Sequence, residues 1–200
     1  MKIKSLIVAA VSAVVLSSAA HAGITVYTNF ADWELAMGGS FATESFSSPT
    51  PTGFTIAQEG GTLDFTSGIS DGVYKDRTIN DTTYTNFNFL SMINAFGAYW
   101  DLAPEGAGQG LQLYVGGQMV SSEIPNDYNG SFFGIVSTNA FNQISVHSGA
   151  ERVDPSETYT VDNVVFGTVS AVPEPESYAL MLAGLGLMGA IVRRRKAKQA

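Results

Sequence analysis

The residues best suited to chemistry in this chain are one histidine, a few glutamates and two oxygen- or glycine-rich turns. His147 is the only histidine outside the first 22 residues, and the chain has no cysteine. A lone imidazole without thiolates makes neither a His/Cys metal site nor a Cys-His nucleophile pair. A Ser-His-Asp triad would have to use His147, and no Gly-x-Ser-x-Gly elbow is expected around any serine. Gly106-x-Gly108-x-Gly110 precedes an apolar alternation rather than a helix, so it does not read as a phosphate cradle. Asp76 to Asp81 is rich in oxygen ligands but lacks the spacing and closing glutamate of an EF-hand. Glu44, Glu105, Glu123 and Glu157 are available for paired-carboxylate glycoside hydrolysis, which needs two of them to converge in space. None stands out, so no catalytic residue is assigned.

The elements that must position these groups are mostly strands. Only Asn29 to Met37 reads as helix: Asn29 suits a cap, Asp32 and Glu34 favour the positive end, and Gly38-Gly39 stops the turn. Phe30, Trp33 and Met37 share one face. Ile24–Tyr27, Phe41–Phe46 and Phe54–Ala57 read as short strands, and Thr62–Thr66 alternates. Ser67–Thr85 reads as a long polar surface loop. Asn94–Leu102 alternates, with Phe96, Ala98, Trp100 and Leu102 on one face and Tyr99 and Asp101 on the other. Leu111–Val115 and Gln118–Glu123 flank a Gly116-Gly117 hairpin signal. Phe132–Ser137, Phe141–His147 and Tyr159–Phe166 complete the set. Many short strands with glycine and asparagine turns predict an all-β fold, an antiparallel β-sandwich or jelly roll with one short helix.

The two ends are different in kind. Lys2 and Lys4, an apolar Leu6–Leu16 and the small-x-small Ala20-His21-Ala22 read as a signal peptide over residues 1–22, with Gly23 the first mature residue. At the other end, residues 172–200 run Pro173-Glu174-Pro175, an uncharged apolar helix over 177–192, then Arg193, Arg194, Arg195 and Lys196. Prolines make a stiff spacer, and the basic cluster stops transfer and stays inside. From Tyr178 to Val192 is fifteen residues, where a stable span wants about 20.

Between them, residues 23–171 form one domain's worth of chain. Only Lys75, Arg77 and Arg152 oppose sixteen acids there, a net charge of −13 before histidine is counted. So acidic a body repels phosphate backbones, which argues against nucleic acid as a partner. It suits divalent cations or neutral sugars, or serves solubility alone.

The tripartite tail resembles the PEP-CTERM sorting signal of Gram-negative bacteria. That resemblance implies an exported protein, held in the inner membrane as a precursor by its transmembrane helix. An exosortase, a membrane protease, would then cleave near Pro173-Glu174-Pro175 and pass the body to the envelope, the surface or the medium. Such proteins usually come from bacteria that make exopolysaccharide; the plainer alternative is an ordinary anchor. The spacing of Phe30-x-x-Trp33, Glu44-Ser45-Phe46, Ala95-Phe96-Gly97, Phe132–Ile135 and Val161–Val164 also resembles the bodies of PEP-CTERM proteins, which look like carbohydrate-binding jelly rolls. This second resemblance implies a structural Ca2+ between Glu44 and Asp162, with Asn163 joining; the simpler reading makes Asp162-Asn163 outward positions or a bulge. Tyr74, Tyr84 and Tyr128 lie in turn-rich stretches and are the expected glycan contacts, since aromatic faces suit sugar rings. The expected function is a non-enzymatic, exported β-sandwich associated with extracellular polysaccharide or biofilm matrix. A glycan-degrading enzyme and a purely structural matrix protein are the alternatives.

Overall fold

A computed structural model describes residues 23–60, 67–79, 82–102, 108–150 and 156–169, with 181, 182, 184, 185 and 188 of the tail. In order, the elements are β1 (Ile24–Tyr27), α1 (Phe30–Met37), β2 (Phe41–Glu44), β3 (Phe54–Glu59), β4 (Gly68–Ser70), β5 (Val73–Ile79), β6 (Tyr84–Asp101), β7 (Leu111–Val115), β8 (Gln118–Met119), β9 (Ser131–Ser148) and β10 (Ser156–Gly167). Every strand pairing among them is antiparallel. The short-strand expectation fails for β6 and β9, which run 18 residues each.

Those two strands build the architecture. They pair from Thr85↔Val146 to Asn88↔Gln143, lose register around Ile93, and pair again from Ala95↔Val136 to Trp100↔Ser131. Strands that bend at such irregularities pass from one layer of a sandwich to the other. The later half of β6 and the first half of β9 form one layer with β1, β10, β2, β5 and β4. The other halves form a second layer with β3, β7 and β8. The core between them takes Phe54, Phe87, Leu113, Ile144 and Val146 from the second layer, and Phe96, Trp100, Phe133, Tyr159 and Val161 from the first. Phe87 meets Phe96 at 6.1 Å between centroids, and Phe54 meets Phe166 at 5.6 Å, edge on. Such aromatic pairs favour offset geometries and add to simple area burial.

Helix α1 covers the outside of the first layer. Asn29 Oδ1 accepts from the amides of Ala31 (2.8 Å) and Asp32 (3.3 Å), and Gly38 closes the helix in the left-handed region. Trp33 and Met37 are fully buried against Ala95, Phe132 and Val165. Trp33 donates from Nε1 to Ile135 O at 3.1 Å. Two facing glycines make this close approach feasible. Gly97 and Gly134 are opposite each other in β6 and β9, and a Cβ on Gly134 would lie 2.9 Å from Trp33 Cδ1 and 2.8 Å from Phe132 Cζ.

The segment read as a surface loop, 67–85, is instead the β4–β5 hairpin and the start of β6. It escaped the hydrophobic pattern because β5 points Tyr74, Asp76 and Thr78 inward. Asp76 is only 1% exposed. It accepts from Gln58 Nε2 (2.6 Å), Tyr74 Oη (2.6 Å), its neighbour's amide Arg77 N (2.7 Å) and the Thr85 hydroxyl. Tyr159 Oη donates to Thr85 Oγ1 at 2.8 Å and reaches Asp76 at 3.5 Å. Buried polar groups are tolerated when satisfied in this way. Burial, then the Asp76 charge, pushes the Tyr74 and Tyr159 hydroxyls well above the usual phenol range.

Candidate functional site

With α1 over the first layer, the outer face of the second layer is left uncovered by any described element. Alternation dictates what it shows. In β6 the odd-numbered Thr85, Phe87 and Phe89 point to the core, so Tyr84, Asn86 and Asn88 point out. Beside them, β9 presents Gln143, Ser145 and His147 between the core residues Ile144 and Val146. Register places Asn86 opposite Ser145 and Asn88 opposite Gln143, with Tyr114 of β7 on the far side of Ser145. On the near side, β3 sets Thr55, Ala57 and Glu59 opposite Asn88, Asn86 and Tyr84.

The chemistry of this face divides by row. At one end His147 stacks on Tyr84, with centroids 4.5 Å apart and planes 7° off parallel, and meets Tyr114 at 4.6 Å and 56°. Beyond them Ser145 Oγ donates to Asn86 Oδ1 at 2.5 Å, and Gln143 Nε2 donates to Asn88 Oδ1 at 2.9 Å. Each side-chain pair bridges two strands and fixes the amide planes. The result is a three-ring aromatic group beside two rows of uncharged donors and acceptors. Sequence reading named Tyr84 but missed its partners. His147 was legible only as a strand end, and the cross-strand register that unites it with Tyr84 and Tyr114 is not written locally.

The other expected glycan contacts sit elsewhere. Tyr74 is 3% exposed and bonded to Asp76 inside the core, so it is not a surface platform. Tyr128 is half-buried and packs against the core margin, with its hydroxyl raised by burial and then by Asp127.

The candidate carboxylates hold backbone. Glu44 accepts from the amides of Phe46 (2.7 Å) and Thr52 (2.6 Å), pinning the loop after β2. Glu123 accepts from Ala150 N at 3.0 Å and 3.2 Å. Glu157, 1% exposed, accepts from Gly110 N at 2.6 Å. Glu105 lies outside the described residues. The pattern Gly68-Ile69-Ser70-Asp71-Gly72 does have Gly-x-Ser-x-Gly spacing, contrary to expectation. It forms the β4–β5 hairpin rather than a strand-to-helix elbow, so Ser70 is not presented as a nucleophile.

Of the residues expected around calcium, Glu44 stands opposite Val164 on β10. Asp162 and Asn163 form the bulge where β10 loses register with β6, and Asn163 takes φ 47°. Asp162 accepts from the backbone and side-chain nitrogens of Asn163 at 2.6 Å and 2.8 Å. Among the described residues no cluster of three His, Cys, Asp or Glu is in place to hold a metal. Asp162 and Asn163 do line an open cleft of ≈ 320 Å³ with Tyr99, Asp101 and Thr160, on the outer side of the first layer.

Ala20, Ala22, Pro173, Glu174, Pro175, Arg193, Arg194 and Arg195 lie outside the described residues, as does most of the expected 177–192 helix. Within it, Met181, Leu182, Gly184, Leu185 and Met188 are helical, and the side chains of Met181, Leu182, Leu185 and Met188 are exposed. Among the described residues no helix is long and apolar enough to cross a membrane.

No curated protein matches the chain. Its body is similar to several solved structures, each of low identity. A family 29 carbohydrate-binding module variant aligns with a TM-score of 0.45 at 10% identity, over 68% of this chain and 99% of that one. A low-affinity xylan-binding module from Roseburia intestinalis gives 0.40 at 11%, over 64% and 95%. The catalytic unit of an α-1,3-glucanase from Streptomyces thermodiastaticus gives 0.37 at 15%, over 68% of this chain but only 27% of that enzyme unit. The tail is identified more directly: residues 171–196 match the PEP-CTERM protein-sorting motif, so the chain carries that sorting signal behind its β-sandwich body.

Proposed function

We propose that this chain is an exported protein, sorted by an exosortase, whose β-sandwich body binds extracellular polysaccharide without cutting it. The sorting half rests on the tail motif. On this reading the precursor is held in the inner membrane and the product goes to the envelope or beyond. The binding half is carried by one observation, the uncovered face on which Tyr84, His147 and Tyr114 adjoin the Asn86–Ser145 and Asn88–Gln143 pairs. Aromatic faces stack on the apolar sides of sugar rings, and fixed amides meet their hydroxyls. A non-catalytic role is supported by Glu44, Glu123 and Glu157, whose carboxylates accept hydrogen bonds from loop amides.

The test is affinity electrophoresis of the full-length chain through gels containing polysaccharides. Retardation by at least one glycan, abolished in Tyr84→Ala with Tyr114→Ala, is the expected result. A double variant that melts like wild type yet is equally retarded would move the site elsewhere. A release of reducing sugar by the wild type would overturn the non-catalytic half.

A further inference from the structure

We infer that the ligand of this face is an uncharged glycan strand lying along β6 and β9, with one ring on the aromatic group and its neighbours on the amide rows. The inference rests on the glycan reading above and narrows it in charge and direction. Charge comes first. Apart from the His147 imidazole, the described side chains of the face carry no group that can be positive. Among the described residues, the carboxylate at its border is Glu59, opposite Tyr84. A uronate or sulfated sugar would therefore meet no fixed cation, and would approach Glu59 on a body of net charge −13. A neutral sugar meets only amides, hydroxyls and rings, which desolvate at far lower cost than charges.

The unbound bonding pattern points the same way. Ser145 and Gln143 use Asn86 Oδ1 and Asn88 Oδ1 as acceptors. That leaves Asn88 Nδ2 and Gln143 Oε1, on half-buried side chains, directed by bonds already formed, while Asn86 is buried between its neighbours at 8% exposure. Donors and acceptors are thus mixed, as hydroxyls that both give and take a proton require. A fixed anion would want donors alone.

Direction follows from the rows. Residues two apart on a strand are separated by about 7 Å, so the three rows extend about 14 Å along β6 and β9. Running along the strands, a glycan passes from the rings of Tyr84 and His147 over Asn86–Ser145 to Asn88–Gln143. Running across them, it would use one row and leave the other two idle.

The test uses the full-length chain in a detergent without a sugar headgroup, with a neutral β-glucan, a neutral galactomannan, alginate and polygalacturonate as probes. Retardation by a neutral probe and by neither anionic one is expected. Tyr84→Ala should weaken that binding about tenfold or more, and Asn88→Ala with Gln143→Ala by a similar factor, both with unchanged melting. Retention of alginate or polygalacturonate that Tyr84→Ala abolishes would overturn the charge inference while leaving the glycan reading intact. Neutral binding lost in Tyr84→Ala but untouched by the Asn88 and Gln143 changes would overturn the direction. Binding of no probe by folded protein would bring down the glycan reading itself.

Discussion

Replacing Asp76 by alanine tests whether the buried polar network holds the sandwich together. The carboxylate accepts hydrogen bonds from Gln58, Tyr74, Thr85 and a backbone amide while 1% exposed. Gln58 is exposed and can turn to water. The buried hydroxyls cannot. Tyr159 keeps Thr85 as a partner at 2.8 Å, so alanine strands the protons of Tyr74 and Thr85. Each buried donor left unpaired costs about 1–3 kcal/mol, or about 2–6 kcal/mol for the two. That is a large share of the roughly 5–15 kcal/mol typical of a domain. Asp76→Asn keeps the volume and one acceptor oxygen, so a loss of about 1–3 kcal/mol is expected. Urea unfolding followed by tryptophan fluorescence measures both. A cycle with Tyr74→Phe isolates the cause, because removing the stranded hydroxyl should return about 1–3 kcal/mol in the alanine background. An Asp76→Ala protein within about 1 kcal/mol of wild type would refute the reasoning. It would mean that desolvating the carboxylate cancels what its bonds contribute.

Three further outcomes are expected. Tyr74 and Tyr159 have hydroxyl pKa values raised by folding. Their contribution is therefore complete below the unfolded value near 10 and is lost as pH climbs from there toward the folded values, at about 2.7 kcal/mol per pH unit for the pair. Tyr159→Phe should halve that slope in urea midpoints measured between about pH 10 and 12, and an unchanged slope would exclude Tyr159 as a source. Trp33→Ala should cost about 3–5 kcal/mol by emptying the space between α1 and the first layer; a loss under 1 kcal/mol in a melting experiment would show that the helix is ornamental. Glu174→Gln removes the charge of the sorting motif and keeps its stiffness, so uncleaved precursor should accumulate in membrane fractions on immunoblots. Wild-type processing of this variant, and equally of Pro173→Ala with Pro175→Ala, would make the motif inert.

Legibility in the sequence tracked the range of the interactions. Local rules gave α1 with its Asn29 cap and Gly38 stop, and the Gly116-Gly117 hairpin, whose φ angles of 54° and 82° suit a primed turn. The alternation from Phe96 to Leu102 held for the same reason. What failed depended on partners distant in the chain. Strand β5 alternates in burial but not in polarity, because its inward Asp76 is satisfied by Gln58 and Thr85 from other strands. A hydrophobic template reads such a strand as loop. Tyr74 and Tyr84 look alike in sequence, in similarly polar surroundings, yet one closes the core and the other opens onto the sheet face. The register of β5 against β10 turns Tyr74 inward, and that of β6 against β9 sets Tyr84 beside His147.

The position of β10 has a mechanical consequence. It is the last strand before the tail, and it is bonded on both flanks, to β5 and β2 on one side and to β6 on the other. Tension on residue 167 directed along the strand enters its ladders in shear, so many transverse hydrogen bonds share the load at once rather than parting one by one. A body pulled from its C-terminal end by flow or by a tugging polymer would thus resist at a strand laddered along both flanks. The β1 edge, paired on one flank only through four residues of β9, is the weaker grip.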